Sequence, residues 1–203
     1  MPVLHLMRHA QSEANVRDIL AGREDFPLSA QGHEDAAAMA AAFCDGRKIG
    51  MVVSSPLARA RQTAQPFAAR LGVAISTDER LSEQHLGRFA GLTYAQAEAD
   101  PAYVTDRTRR WQWTPDGGGE SYRDISVRTA AFLADAARWP VDALVVTHAV
   151  TMRLFRACLE RTLPRYPEKI AANGEVWVCP LNADGSCPGI TTLDLGRNRS
   201  HRA

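Results

Sequence analysis

An arginine and a histidine stand side by side, Arg8–His9, directly after the apolar run Val3–Met7 in "VLHLMRHAQSEAN". A second histidine, His148, follows another apolar run in "ALVVTHA". Between them lie an arginine-bearing segment, "SSPLARARQTA" (54–64), and a loop with one central carboxylate, "LSEQHLGRFAGLTY" (81–94). Guanidinium groups offer planar forks that match phosphate oxygens, and an imidazole adds a further charged hydrogen bond. A phosphomonoester carries about two negative charges at neutral pH, so attack at its phosphorus needs such cations around it. A neutral His9 is a good nucleophile for phosphorus, and a phosphohistidine intermediate splits one hard displacement into two easier ones. Glu83 can protonate the leaving alkoxide and then take a proton from the water that hydrolyses phospho-His9.

The elements that must position these groups follow from the apolar pattern. Val3–Met7, Met51–Val53 and Ala143–Val146 read as buried parallel strands. Ser29 is a plausible N-cap for a helix over Ala30–Phe43. Ser54–Ser55–Pro56 reads as a helix start with proline in the first turn, running to about Leu71. Further helices are expected over Tyr122–Arg138 and Val150–Glu160. The tail reads as a hairpin or sheet edge, Glu175–Pro180 and Ile190–Leu195. This order predicts an α/β domain with a mostly parallel central sheet and C-terminal edge strands. Ligands of such sheets bind beyond the carboxyl ends of the strands, where His9, Ser55 and His148 all fall.

The bulk numbers suit an ordinary globular protein and little else. The chain has 203 residues, 45 % hydrophobic and 23 % charged, with a formal net charge of +1. A charge that small recruits neither nucleic acid nor an anionic membrane, so an anion site has to be local. Cys44, Cys158, Cys179 and Cys187 show no C-x-x-C spacing and no histidine cluster, so neither a zinc site nor a disulfide framework is expected. No stretch is long enough to span a bilayer and no signal peptide is apparent; the expectation is a cytoplasmic protein. One domain over 1–203 is expected, with the irregular stretch 92–120 as an insertion over the sheet's edge, near the active-site mouth.

Taken together, the four blocks resemble the histidine phosphatase superfamily, the phosphoglycerate-mutase-like proteins. The family's Arg-His-Gly-x-Thr-x-x-Asn is matched by Arg8, His9, Ser12 and Asn15. Ser-x-Leu-x-Arg-Ala-x-x-Thr-Ala is matched by Ser55, Leu57, Arg59, Ala60, Thr63 and Ala64, and Leu-x-Glu-x-x-x-Gly-x-x-x-Gly by Leu81, Glu83, Gly87 and Gly91. The late histidine is His148; "AGREDFPLSAQG" (21–32) and "GGGES" (117–121) are weaker echoes. The resemblance implies a three-layer α/β/α sandwich with His9 as nucleophile and Glu83 as proton donor. It selects Arg59 over Arg61 and places Arg8, Arg59, Asn15 and His148 on the phosphate. Ser12, Arg23, Arg110, Trp111 and Ala149 are weaker candidates for contact with the rest of the substrate. Two positions depart from the pattern: Ala10 and Ala149 stand where glycine is usual, and a methyl group there either fits or narrows the pocket.

The activity this implies is metal-independent hydrolysis of a small-molecule phosphate ester, with no cofactor and no metal. The short stretch between Gly91 and the glycine-rich loop favours a phosphatase over a cofactor-dependent phosphoglycerate mutase. A non-catalytic phosphate-binding protein on the same fold is the remaining alternative. The expected partner is the ester itself, with no nucleic acid and no membrane, and homodimerisation stays open.

Overall fold

Alternation along β1 (Val3–Arg8) sends Leu4 and Leu6 to one side of a sheet and Met7 to the other. The computed structural model describes residues 1–199; residues 200–203, including His201, lie outside the described residues. Six strands pair in the order β3-β2-β4-β1-β5-β6. They are β1, β2 (Met51–Ser54), β3 (Ile75–Thr77), β4 (Ala143–Thr147), β5 (Val176–Pro180) and β6 (Thr191–Leu193). The first four in that order run parallel, and β5 and β6 add antiparallel strands at one edge. The tail thus pairs as the expected hairpin, whereas β3 is a strand the sequence pattern did not reveal.

Helices cover both faces. Leu4, Leu6, Val53 and Val145 meet Phe132 and Leu133 of α5 (Tyr122–Ala136) and Met152 and Phe155 of α6 (Ala149–Leu159). On the other face Met7, Val52, Leu144 and Val146 meet Met39 and Phe43 of α2 (Ala30–Cys44) and Phe67 of α3 (Ala58–Leu71). Each large side chain buried this way contributes about 1.5–3 kcal/mol. His5 belongs to this second face, packed edge-on to Phe43 at 5.2 Å. Two short helices, α1 (Glu13–Val16) and α4 (Tyr94–Glu98), lie in the connections.

One helix start differs from expectation. α3 begins at Ala58, and Pro56 lies in the turn before it. Ser55 Oγ accepts Leu57 N–H at 3.3 Å, which keeps the serine in the turn. The cap comes from elsewhere in the chain: Asp25 Oδ1 accepts Ala58 N–H at 2.6 Å. α2, by contrast, is capped as expected, Ser29 Oγ accepting Gly32 N–H at 3.0 Å.

Two glycines are required by close approach. A Cβ on Gly32 would stand 1.9 Å from the carbonyl oxygen of Gln11, the residue that leads into the loop after β1. A Cβ on Gly87 would meet the Asp116 carbonyl at 1.9 Å, and its φ of +53° lies in the left-handed region. Gly32→Ala is therefore expected to destabilise the protein by about 1–3 kcal/mol, as overpacking does. A lower denaturation midpoint at unchanged slope in urea checks this.

Candidate active site

Strand pairing sets the two histidines side by side. β4 lies between β1 and β2, and the ladder continues one residue past each strand. His9 N–H donates to the Thr147 carbonyl at 3.0 Å, and Ser55 N–H donates to the Val146 carbonyl at 2.9 Å. His148 thus emerges between His9 and Ser55, its ring centroid 5.1 Å from that of His9.

The hydrogen bonds of the two rings differ in kind. His9 Nδ1 lies 2.7 Å from the Ala10 carbonyl, which can only accept, so Nδ1 carries the hydrogen. In the neutral ring the lone pair is then on Nε2. His148 Nε2 lies 2.8 Å from Ser55 Oγ. That hydroxyl also accepts the Leu57 N–H and still has its own proton to donate to Nε2. In that arrangement the neutral His148 ring carries its proton on Nδ1, which is buried without a hydrogen-bond partner. Burial, then the charges of Arg59 and His9, hold His148 well below the usual imidazole pKa.

Two guanidinium groups complete the wall. Arg8 ends β1, is 2 % exposed, and donates from Nη1 to the Ala171 carbonyl at 2.7 Å; its Nε is buried with no partner. Arg59, in the first turn of α3, donates to the Glu24 and Gly22 carbonyls at 2.8 and 2.7 Å. Burial lowers the pKa of both; that of Arg59 falls to about 10, with Glu83 and Asp25 opposing the fall and Arg8 adding to it.

Glu83 enters from the loop after the 3-10 turn Glu79–Leu81. Thr147 Oγ1 donates to the Leu81 carbonyl at 2.6 Å and Thr151 Oγ1 to the Ser82 carbonyl at 2.7 Å, so β4 and α6 tether that loop. The Glu83 carboxylate accepts the Val150 and Thr151 amides at 3.2 and 3.3 Å and so sits on the first turn of α6.

Arg8, His9, Ser12, Asn15, Arg59 and Glu83 all line one cleft of about 580 Å³ that opens to solvent, and Arg110 and Ala149 line it too. Arg110 lies against the rings of Tyr103 and Trp113, 4.8 and 5.0 Å from their centroids, with Nε donating to the Val104 carbonyl. His148 lies behind His9 and is fully buried. Two of the weaker candidates are placed away from the cleft lining: Trp111 stacks on Tyr166, and Arg23 pairs with Glu120. The two alanines also part company. The Ala10 methyl packs into the core beneath the loop, while Ala149 faces the cleft.

One contributor has no counterpart in the sequence reading. Asn173, 2 % exposed, donates from Nδ2 to the His9 carbonyl at 2.9 Å, and Asn15 Oδ1 lies 3.2 Å from the same nitrogen. Asn15 Oδ1 also accepts from Ser12 N–H and Oγ, both at 3.0 Å. With its oxygen so occupied, Asn15 has its Nδ2 hydrogens left for a ligand. Asn173 precedes a glycine in "AANGEV", a turn signal that carries no hint of long-range contact.

This sheet, with helices on both faces and paired histidines at the strand ends, is the architecture of a phosphoglycerate-mutase-like α/β protein. The family model described as histidine phosphatase superfamily (branch 1) matches residues 4–190, and the chain belongs to that superfamily. It is 38 % identical over 137 residues to a glucosyl-3-phosphoglycerate phosphatase of Mycobacterium tuberculosis, covering 65 % of this chain and 59 % of that protein. The match thus spans less than two thirds of that relative's own length. A probable phosphoglycerate mutase of Enterobacter sp. (strain 638) is 30 % identical over 181 residues, 82 % of this chain and 78 % of its own. The solved native structure of a mycobacterial glucosyl-3-phosphoglycerate phosphatase superposes with a TM-score of 0.78 at 27 % identity, covering 98 % of this chain and 99 % of its own. Among the described residues, no helix is long and apolar enough to cross a membrane.

The buried histidines set a pH dependence of stability. His148 and His5 both have pKa values lowered by burial below the ordinary 6.5. Below that value the unfolded chain binds protons that the folded chain refuses, so stability falls as pH falls. Melting temperature is expected to decline between pH 7 and pH 5, with a shallower slope in His148→Gln, which thermal unfolding across that range measures.

Proposed function

We propose that the chain is a phosphomonoester hydrolase that works through a phosphohistidine at His9. The observation that carries this reading is the bond from His9 Nδ1 to the Ala10 carbonyl, which reserves Nε2 for phosphorus beside two buried arginines. The phosphate is held by Arg8 and Arg59, by the free amide hydrogens of Asn15, and by the Nδ1–H of His148. His9 Nε2 forms a bond to phosphorus as the ester P–O bond breaks. Glu83 delivers a proton to the departing oxygen. Water then attacks phospho-His9, Glu83 takes its proton, the N–P bond breaks and inorganic phosphate leaves. The guanidinium groups supply the positive charge and the His148 imidazole adds a neutral donor, so the reaction proceeds without a metal or cofactor.

The substrate reading is a small ester whose leaving group carries an acid. Arg110, a cation held in the cleft wall by two aromatic rings, supports it, as does the similarity to a glucosyl-3-phosphoglycerate phosphatase. We propose that the chain acts as one domain, in the cytoplasm, on an ester that reaches the cleft from solution. The same second cation favours an alternative, transfer between positions of phosphoglycerate, since a bisphosphate also needs two anion sites.

Phosphate release from a panel of monoesters in EDTA tests the reading. Turnover is expected to persist with EDTA and to fall about a thousandfold or more in His9→Ala. EDTA-sensitive turnover, or activity retained in His9→Ala, counts against it. Transfer to phoshoglycerate after priming with the bisphosphate, with no hydrolysis, makes the alternative correct. Arg110→Met is expected to raise KM for acidic esters about tenfold or more, the worth of a charged hydrogen bond, and to leave KM for an uncharged leaving group unchanged.

A further inference from the structure

The loop that carries Glu83 is gripped from outside the cleft by three charged side chains that the reaction above does not use. The Glu83 carbonyl accepts Arg23 Nε at 3.2 Å and Arg128 Nη2 at 3.4 Å. Two cations converging on one carbonyl repel each other, and Glu120 joins them. Its Oε2 lies 2.9 Å from Arg23 Nη2, and its Oε1 lies 3.1 Å from Arg128 Nε. The side chains of Arg128 and Glu120 are 13 % and 18 % exposed, so their pairing is better shielded from solvent than a surface bridge.

Glu120 also fastens the loop's backbone. Its Oε2 accepts the His85 N–H at 3.0 Å, its own N–H donates to the His85 carbonyl at 2.9 Å, and its carbonyl accepts Gln84 Nε2 at 2.8 Å. Arg128, on α5, extends the grip to the Arg80 carbonyl at 2.6 Å. The Glu83 residue is therefore fixed at both ends, its carboxylate by the first turn of α6 and its main chain by this cluster. Neither Glu120 nor Arg128 lines the cleft.

We propose that Glu120, acting through Arg128 and Arg23, is a positioning residue for Glu83. It neutralises the two guanidinium groups so that both can bond the Glu83 carbonyl, and so sets the carboxylate's distance from the leaving oxygen. The inference rests on the reading of Glu83 as the proton donor. A displacement of about 1 Å at such a group can cost a hundredfold in rate.

Proton donation matters most for an alkoxide leaving group and least for para-nitrophenolate, which departs unprotonated. The experiment is kcat/KM, which covers only the steps up to leaving-group departure, over esters from para-nitrophenyl to alkyl phosphates. Glu120→Gln is expected to stay within about threefold of wild type on the para-nitrophenyl ester and to lose about tenfold or more on alkyl esters, part of what a general acid supplies. Glu83→Gln should show the same pattern more strongly. Arg23→Ala, at a half-exposed side chain that does not hold the core, should show it more weakly, and it carries the test if Glu120→Gln does not fold. Equal losses on both ester types in Glu120→Gln or Arg23→Ala, or no loss on either, overturn the positioning role if Glu83→Gln is itself sensitive to the leaving group. Equal losses in Glu83→Gln overturn the proton-donor reading and the positioning role with it.

Discussion

Two positive charges are buried together. Arg8 and Arg59, each 2 % exposed, repel one another and have lost most of their hydration. Their neighbours answer this mainly with backbone carbonyls rather than with carboxylates. Ala171, Gly22 and Glu24 each turn a carbonyl toward a guanidinium group. The loop 21–25 and the segment before β5 are thus shaped by the need to supply these dipoles. A carboxylate paired directly with either arginine would have neutralised it and filled part of the cleft that both line. Carbonyls hold the cations with no carboxylate bridged directly to either among the described residues, a state in which an anion gains by binding.

The sheet contributes order at the strand ends. Because β4 lies between β1 and β2, one continuing ladder fixes His9, His148 and Ser55 in sequence across three neighbouring strands. The groups that tune the rings come from two directions: the Ala10 carbonyl, one residue along the chain from His9, and the Ser55 hydroxyl, at the end of the strand beside that of His148. Short-range geometry sets the tautomer of His9, and long-range topology sets the partner of His148 and the distance between the rings.

Much of this is legible in the sequence, for identifiable reasons. β1, β2 and β4 are continuous apolar runs because helices cover both faces, and the polar residues that end those runs line the cleft, as Arg8 and His9 do, or back it, as Ser55 and His148 do. β3 is three residues, Ile75–Thr77, half-exposed to exposed and too short to show a period. α4 carries its signal in a capping box, Thr93 with Gln96, inside a stretch whose prolines and glycines suggest irregularity. The start of α3 could not be read locally, since its cap, Asp25, comes from a distant loop. Asn173 was hidden for the same reason. An asparagine before a glycine is a turn former in any chain, and only the fold shows that its amide meets the His9 carbonyl.

The grip of that late segment on the phosphate loop separates the two halves of the site in time. Ala171, Asn173 and Glu175, which bond Arg8 and His9, leave the ribosome some 160 residues after them, judged by the separation of 163 between Arg8 and Ala171. Closing so long a loop is entropically the slowest kind of contact to make. Until β5 docks beside β1, a nascent chain holds the histidine without the amide and carbonyls that orient its surroundings. The cleft is therefore completed late, as a property of the finished sheet rather than of the segment that carries His9.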